Sequence, residues 1–128
     1  MRPTSRDQRP VNLDLGTIHL PITAYASITH RVTGVAMFVA SFLMLWALDQ
    51  SLASEASFDA LADTLASLWA KLLIWATASA LSYHALAGLK HLVMDAGFGE
   101  TMRGGVIGAR VVFVLAAFAA ALWGVALW

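Results

Sequence analysis

The sequence predicts an all-α integral membrane protein with three transmembrane helices, and three observations lead there. Hydrophobic residues make up 59% of the 128 residues and charged residues only 12%, a balance far from that of a soluble domain. The apolar residues run in three long stretches, roughly 22–48, 65–94 and 106–128, each reaching the ~20 residues a helix needs to cross a bilayer. The polar gaps between them are too short for a soluble domain. A closed β-barrel also satisfies its backbone in lipid, but it needs many ~10-residue segments of strict alternation. These runs are too long and too rich in Ala and Leu for that.

A polar tail over residues 1–21 comes first, carrying Arg2, Arg6, Arg9 and Asp14 and ending with Pro21 where a helix can start. It reads either as a solvated basic leader or as a segment that docks onto a partner. The first apolar stretch is too long and too poorly flanked for a cleaved signal peptide, so helix one, over 22–49, is expected to stay in the membrane. In the loop over 50–64, Leu52, Phe58 and Leu61, with Leu65 just beyond, recur at loosely helical spacing, the pattern of a short interfacial helix. Helix two is expected over 65–95. Gly97, Gly99, Gly104 and Gly105 then mark a flexible turn within the loop over 96–105. Helix three, over 106–128, offers Ala117, Ala119, Ala120, Ala121 and Gly124 as small surfaces for close packing, a scaffold role.

Net charge is zero, so the information lies in how charge is distributed. Basic residues gather in the tail, at Lys90, and at Arg103 and Arg110 around the second loop. The first loop region carries Asp49, Glu55, Asp59 and Asp63 with no Lys or Arg. The positive-inside rule therefore puts the N-terminus and the 96–105 loop in the cytoplasm. The acidic loop and the C-terminus would face the periplasm of a bacterium, which makes this a multi-pass protein of the inner membrane. Trp46, Trp69, Trp123 and Trp128 fall at the expected periplasmic ends of the helices, where aromatic belts form. The chain has no cysteine, which excludes disulfides, thiolate-held iron–sulfur clusters and covalent haem attachment within it.

Against this apolar background stand two clusters of polar and ionisable residues, expensive in lipid and hence candidates for function. His84, Gly88, His91 and Asp95 are spaced at i, i+4, i+7 and i+11, on one helical face. A neutral imidazole in a low-dielectric bundle is a good axial ligand for haem iron, and a Gly one turn away leaves room for a flat porphyrin. The competing reading is a core histidine hydrogen-bonded to a neighbouring helix. Ser27, His30, Arg31 and Gly34 share a face of helix one. Arg31 cannot shed its charge, so it needs an anion, a dipole or a route to the surface. Counting ~1.5 Å per residue puts Arg31 about 12 Å inside helix one, and puts His91 about 6 Å and His84 about 16 Å from the cytoplasmic end of helix two. A haem held at His84 could then direct its propionates toward His30, Arg31 and His91. His84 and His91 share a face and cannot flank one iron, and His30 counts as nearer the surface, so a second axial ligand would come from another subunit. Ser27 and Arg31 near the interface could hydrogen-bond a carbonyl of an amphipathic ligand such as a quinone. Ser27 could equally be a helix cap.

Taken together, Arg9-Pro10, the run Ser27-x-x-His30-Arg31-x-Thr33-Gly34 and the run His84-x-x-x-Gly88-Leu89-Lys90-His91-Leu92-x-Met94-Asp95 resemble the cytochrome b membrane anchor, the larger anchor, of succinate dehydrogenase, respiratory complex II. The resemblance covers the whole chain, and the tail Arg9-Pro10-Val11-Asn12-Leu13-Asp14-Leu15 is similar to gammaproteobacterial forms that use ubiquinone. It implies one part of a hetero-oligomeric helix bundle: a second hydrophobic anchor, an iron–sulfur subunit and a flavoprotein subunit as partners, with no nucleic acid. It implies haem b shared with the second anchor, ubiquinone as substrate, and FAD and iron–sulfur clusters in the partners only. The resemblance assigns His84 as axial haem ligand, His30, Arg31 and His91 to the propionates, and Ser27 and Arg31 to the quinone pocket. Asp95 would contribute to that pocket's electrostatics or proton supply. No residue of this chain alone is assigned as catalytic; the activity belongs to the complex. Lys90 stands where the family more often has Arg, which removes any bidentate contact there. Two rival readings remain, an anchor of a quinol:fumarate reductase and a purely structural anchor without haem or quinone.

Overall fold

The computed structural model describes residues 15–128: a short 3-10 turn at Leu15–Thr17, then helices α1 (Ile22–Ala53), α2 (Glu55–Ala66), α3 (Leu68–Asp95) and α4 (Met102–Leu127). Arg2, Arg6, Arg9, Pro10 and Asp14 of the tail lie outside the described residues. Among those described there is no strand, and α1, α3 and α4 are each long and apolar enough to cross a membrane. The protein is an all-helical, multi-pass membrane protein.

Small hydroxyls decide where the helices break. Ser54 and Ser57 form a capping box: the Ser57 N–H donates to Ser54 Oγ at 3.1 Å, and the Ser54 N–H donates to Ser57 Oγ at 3.0 Å. The Ser57 hydroxyl also donates to the Gln50 carbonyl at 2.8 Å, folding α2 back on the last turn of α1. Ser67 then caps α3 by accepting from the Ala70 N–H at 3.3 Å. So α3 begins at Leu68, three residues after the point that apolar content suggests, and Leu65 belongs to α2.

The turn from α3 to α4 uses glycine in two different ways. Gly97 and Gly99 adopt φ of 89° and 77°, left-handed values that a Cβ disfavours. Gly104 and Gly105, expected in the loop, lie inside α4, because Thr101 caps that helix by accepting from the Gly104 N–H at 3.1 Å. Gly104 is required by proximity: a Cβ there would lie 2.5 Å from the Gly99 carbonyl oxygen, a backbone atom that cannot swing aside. Gly104→Ala should therefore destabilise this turn by about 1–3 kcal/mol, read as faster proteolysis of the 96–101 segment in the purified protein. Gly108→Ala should be tolerated, since its neighbour is the flexible end of the Lys90 side chain; equal cleavage rates for the two variants would refute the argument.

α3 is the central helix and packs on both α1 and α4. Tyr83, Ala87 and Val112 form the core, with Leu86, Phe113 and Ala116 against it. Ala87 and Ala109 are almost fully buried, as expected where small residues let membrane helices approach closely. Hydrogen bonds also tie the helices together. The Trp75 indole N–H donates to the Ala120 carbonyl at 2.9 Å, and the Lys71 ammonium donates to the Leu127 carbonyl at 3.1 Å. Trp123, read as a headgroup anchor, also donates its N–H to Ser82 Oγ at 3.0 Å, so it ties α4 to α3. The Tyr83 hydroxyl, buried, donates to the Ala26 carbonyl of α1 at 2.8 Å. Large apolar side chains such as Val35, Phe38 and Leu45 remain exposed on the chain's outside, a surface suited to lipid or to other helices.

Candidate functional site

One seam between α1 and α3 gathers the intramembrane histidines. His30 projects from α1 and His84 from α3, and their rings stack with centroids 4.1 Å apart and planes 16° from parallel. The ring of His91, two turns after His84, is 5.4 Å from that of His30 and tilted by 50°. Residue counting put His30 about one turn nearer the surface than His84; the rings reach across that offset to stack.

Glycines make the seam narrow enough for the stack. A Cβ on Gly34 would lie 3.2 Å from His84 Cε1, so the His84 ring occupies the space above Gly34. Gly88 has the reciprocal place: its missing Cβ would be 3.6 Å from His30 Nε2. Gly88 was expected to leave room for a porphyrin, and on this chain His30 borders that room.

His84 is held through Nδ1. It lies 3.1 Å from the His30 carbonyl oxygen and 3.2 Å from Thr33 Oγ1. The carbonyl can only accept, so Nδ1 carries the proton, and in the neutral ring Nε2 then keeps its lone pair. That is the tautomer an axial iron ligand needs, with its other N–H on a backbone carbonyl as metal-bound histidines usually have it. The donor set therefore fits a haem. His30 Nε2 is buried and has no hydrogen-bond partner among the described residues, which leaves a polar atom for a group from outside the chain to satisfy. Among the described residues no three His, Asp or Glu side chains are placed to hold a bare metal ion.

The remaining predicted residues stand apart from the stack. Ser27 is half-buried one turn before His30, Arg31 is exposed, and Asp95 is exposed as the last residue of α3. Among the described residues no hydrogen bond or ion pair reaches these three side chains. The structure thus brings His30, His84 and His91 together and leaves Ser27, Arg31 and Asp95 free to meet something else. Sequence reasoning passed over the parts played by Thr33 and Tyr83. The spacing signal was present for Thr33, three residues after His30, but a threonine in a membrane helix ordinarily bonds its own backbone.

Comparison with known proteins gives the same picture at family level. Residues 5–123 match the family described as succinate dehydrogenase/fumarate reductase transmembrane subunit. The chain is 43% identical over 122 residues to the succinate dehydrogenase cytochrome b556 subunit of Coxiella burnetii, covering 94% of this chain and 98% of that one. It is 38% identical over 100 residues to the protein of the same name in Paracoccus denitrificans, covering 77% and 76% of the two chains. To that of Rickettsia felis it is 31% identical over 97 residues, covering 76% and 75%.

Proposed function

The chain belongs to the succinate dehydrogenase/fumarate reductase transmembrane subunit family, as a cytochrome b anchor subunit of complex II, and from that premise we propose that it binds haem b with a second anchor and helps form a ubiquinone-reduction site. The observation that carries this reading is the His30–His84 stack with His84 Nδ1 tied to a carbonyl. A neutral imidazole anchored in this way keeps Nε2 for a ligand, which the interhelical hydrogen bond of a scaffold alone would not need. A bound haem would supply a one-electron store close to the quinone. His84 would hold the iron, and His30, His91 and Arg31 would meet the propionates.

Ser27 and Arg31 serve the quinone. The Ser27 hydroxyl would donate to one carbonyl oxygen, and the Arg31 guanidinium would steady the negative charge that develops there on reduction. Asp95, at the end of α3, would raise the local supply of protons. Electrons from succinate oxidised on the flavoprotein subunit would arrive through the iron–sulfur subunit, two per quinone, with two protons taken up from the cytoplasm. The chain would span a bacterial inner membrane with residues 1–21 and 96–105 cytoplasmic and residues 50–64 and the C-terminus periplasmic. The relatives' names support succinate oxidation over the reverse, fumarate-reducing direction.

Ser27→Ala and Arg31→Ala in the purified complex are expected to lower succinate-driven ubiquinone reduction by roughly tenfold or more, the worth of a hydrogen bond to a charged or charging group. Succinate oxidation with a soluble artificial acceptor should stay near the wild-type rate. Equal loss in both assays would point to misassembly, and no loss in either would leave the chain a structural anchor.

A further inference from the structure

One hydroxyl at the centre of the seam has no part in the haem and quinone roles above. Thr33 lies one helical turn after Thr29, and its Oγ1 is 2.8 Å from the Thr29 carbonyl oxygen and 3.0 Å from that of His30. The same atom is 3.2 Å from His84 Nδ1 across the interface. Proton accounting gives these contacts a single arrangement. His84 Nδ1 must donate, because the His30 carbonyl 3.1 Å away can only accept. Thr33 Oγ1 is then a second acceptor for that N–H, and its own proton goes to a backbone carbonyl, with Thr29 the shorter contact.

We propose that Thr33 is a positioning residue for His84: its hydroxyl fixes the rotation of the ring and the proton on Nδ1, and so sets how strongly Nε2 donates to iron. This rests on the reading of His84 as the haem ligand. A hydroxyl whose proton is committed to a carbonyl is a better acceptor for the next bond in the chain. An imidazole whose far N–H is drawn to two acceptors is the more basic ligand, which favours the oxidised, more positively charged iron. Thr33 is half-buried in an apolar span, where little water is available to replace its hydroxyl if it is lost.

The test is a redox titration of the haem in the complete complex purified from membranes, followed optically and by electron paramagnetic resonance of the oxidised form. Thr33→Val keeps the shape and removes the hydroxyl; Thr33→Ser keeps the hydroxyl and removes the methyl. Thr33→Val is expected to retain haem and shift the ferric–ferrous balance toward ferrous by roughly two- to tenfold at fixed ambient potential, the worth of one hydrogen bond. Tenfold corresponds to about 59 mV for one electron. Thr33→Ser should titrate with the wild type, and haem lost from Val but kept by Ser would equally support the hydroxyl. The proposal is overturned if Val titrates as wild type, if Ser shifts as far as Val, or if both lose haem together, since packing would then account for the effect. A haem spectrum that survives His84→Ala unchanged, and still survives when His30 or His91 is removed in addition, would overturn the ligand reading beneath it. If His84→Ala removes the haem while Thr33→Val changes nothing, only the positioning role falls.

Discussion

His84→Ala is expected to strip the complex of its reduced b-type absorbance, with haem per complex falling by well over tenfold, while His19→Ala leaves the spectrum unchanged. The two residues differ in setting rather than in kind. His19 is exposed ahead of α1, where water can solvate either ring nitrogen. His84 sits in the α1–α3 seam with one nitrogen fixed on a carbonyl, and alanine there removes the ligand together with the partner of the His30 stack. The loss should be measured as a haem-to-protein ratio, with assembly checked by the amount of all partner subunits that copurify. A retained, unshifted spectrum would sink the assignment, unless the signal then vanished on removing His30 or His91 in addition.

Gly34→Leu should produce nearly the same loss with every histidine still in place. The first carbon of any side chain at position 34 would meet His84 Cε1 at 3.2 Å, and a leucine carries three more carbons into the space the ring occupies. Overpacking of this kind costs about 1–3 kcal/mol, and moving the ring aside also gives up its contacts with His30 and Thr33. Haem content is expected to drop at least severalfold, with Gly34→Ala intermediate, because a single methyl asks the ring to give by only a few tenths of an ångström. Full haem content and an unaltered spectrum in Gly34→Leu would show that the ring is free to sit elsewhere.

Much of this molecule can be read from sequence, because the dominant physics is solvent preference. The three spans follow from apolar run length, and His30, Arg31, His84 and His91 draw notice through the cost of burying polar atoms in hydrocarbon. The boundaries were harder. Ser54, Ser67 and Thr101 end or begin helices through one or two hydrogen bonds each, and a serine or threonine beside an apolar run looks the same whether or not it caps. Glycines mislead for a similar reason. Gly99 turns the chain, whereas Gly104 sits within a helix and matters because another backbone lies against it. At the site, the histidine faces were legible from 3.6-residue periodicity, but the side-chain register between α1 and α3 was not. That register depends on how the helices pack, so the His30–His84 stack and the hold of Thr33 on Nδ1 emerge only in three dimensions.

The same stack has a consequence for biogenesis. His30 and the Nδ1 of His84 that meets its carbonyl are 54 residues apart along the chain, and synthesis proceeds at about 5–20 residues per second. Helix α1 therefore leaves the ribosome roughly 3–11 s before the residue that completes its seam. During that interval His30 waits at the membrane without its counterpart. With His84 as the proposed haem ligand, insertion of α3 would create the place for a haem on this chain, and cofactor loading would follow it. A nascent chain arrested after α2 would leave His30 without the ring that stacks on it, an unfinished seam in the membrane.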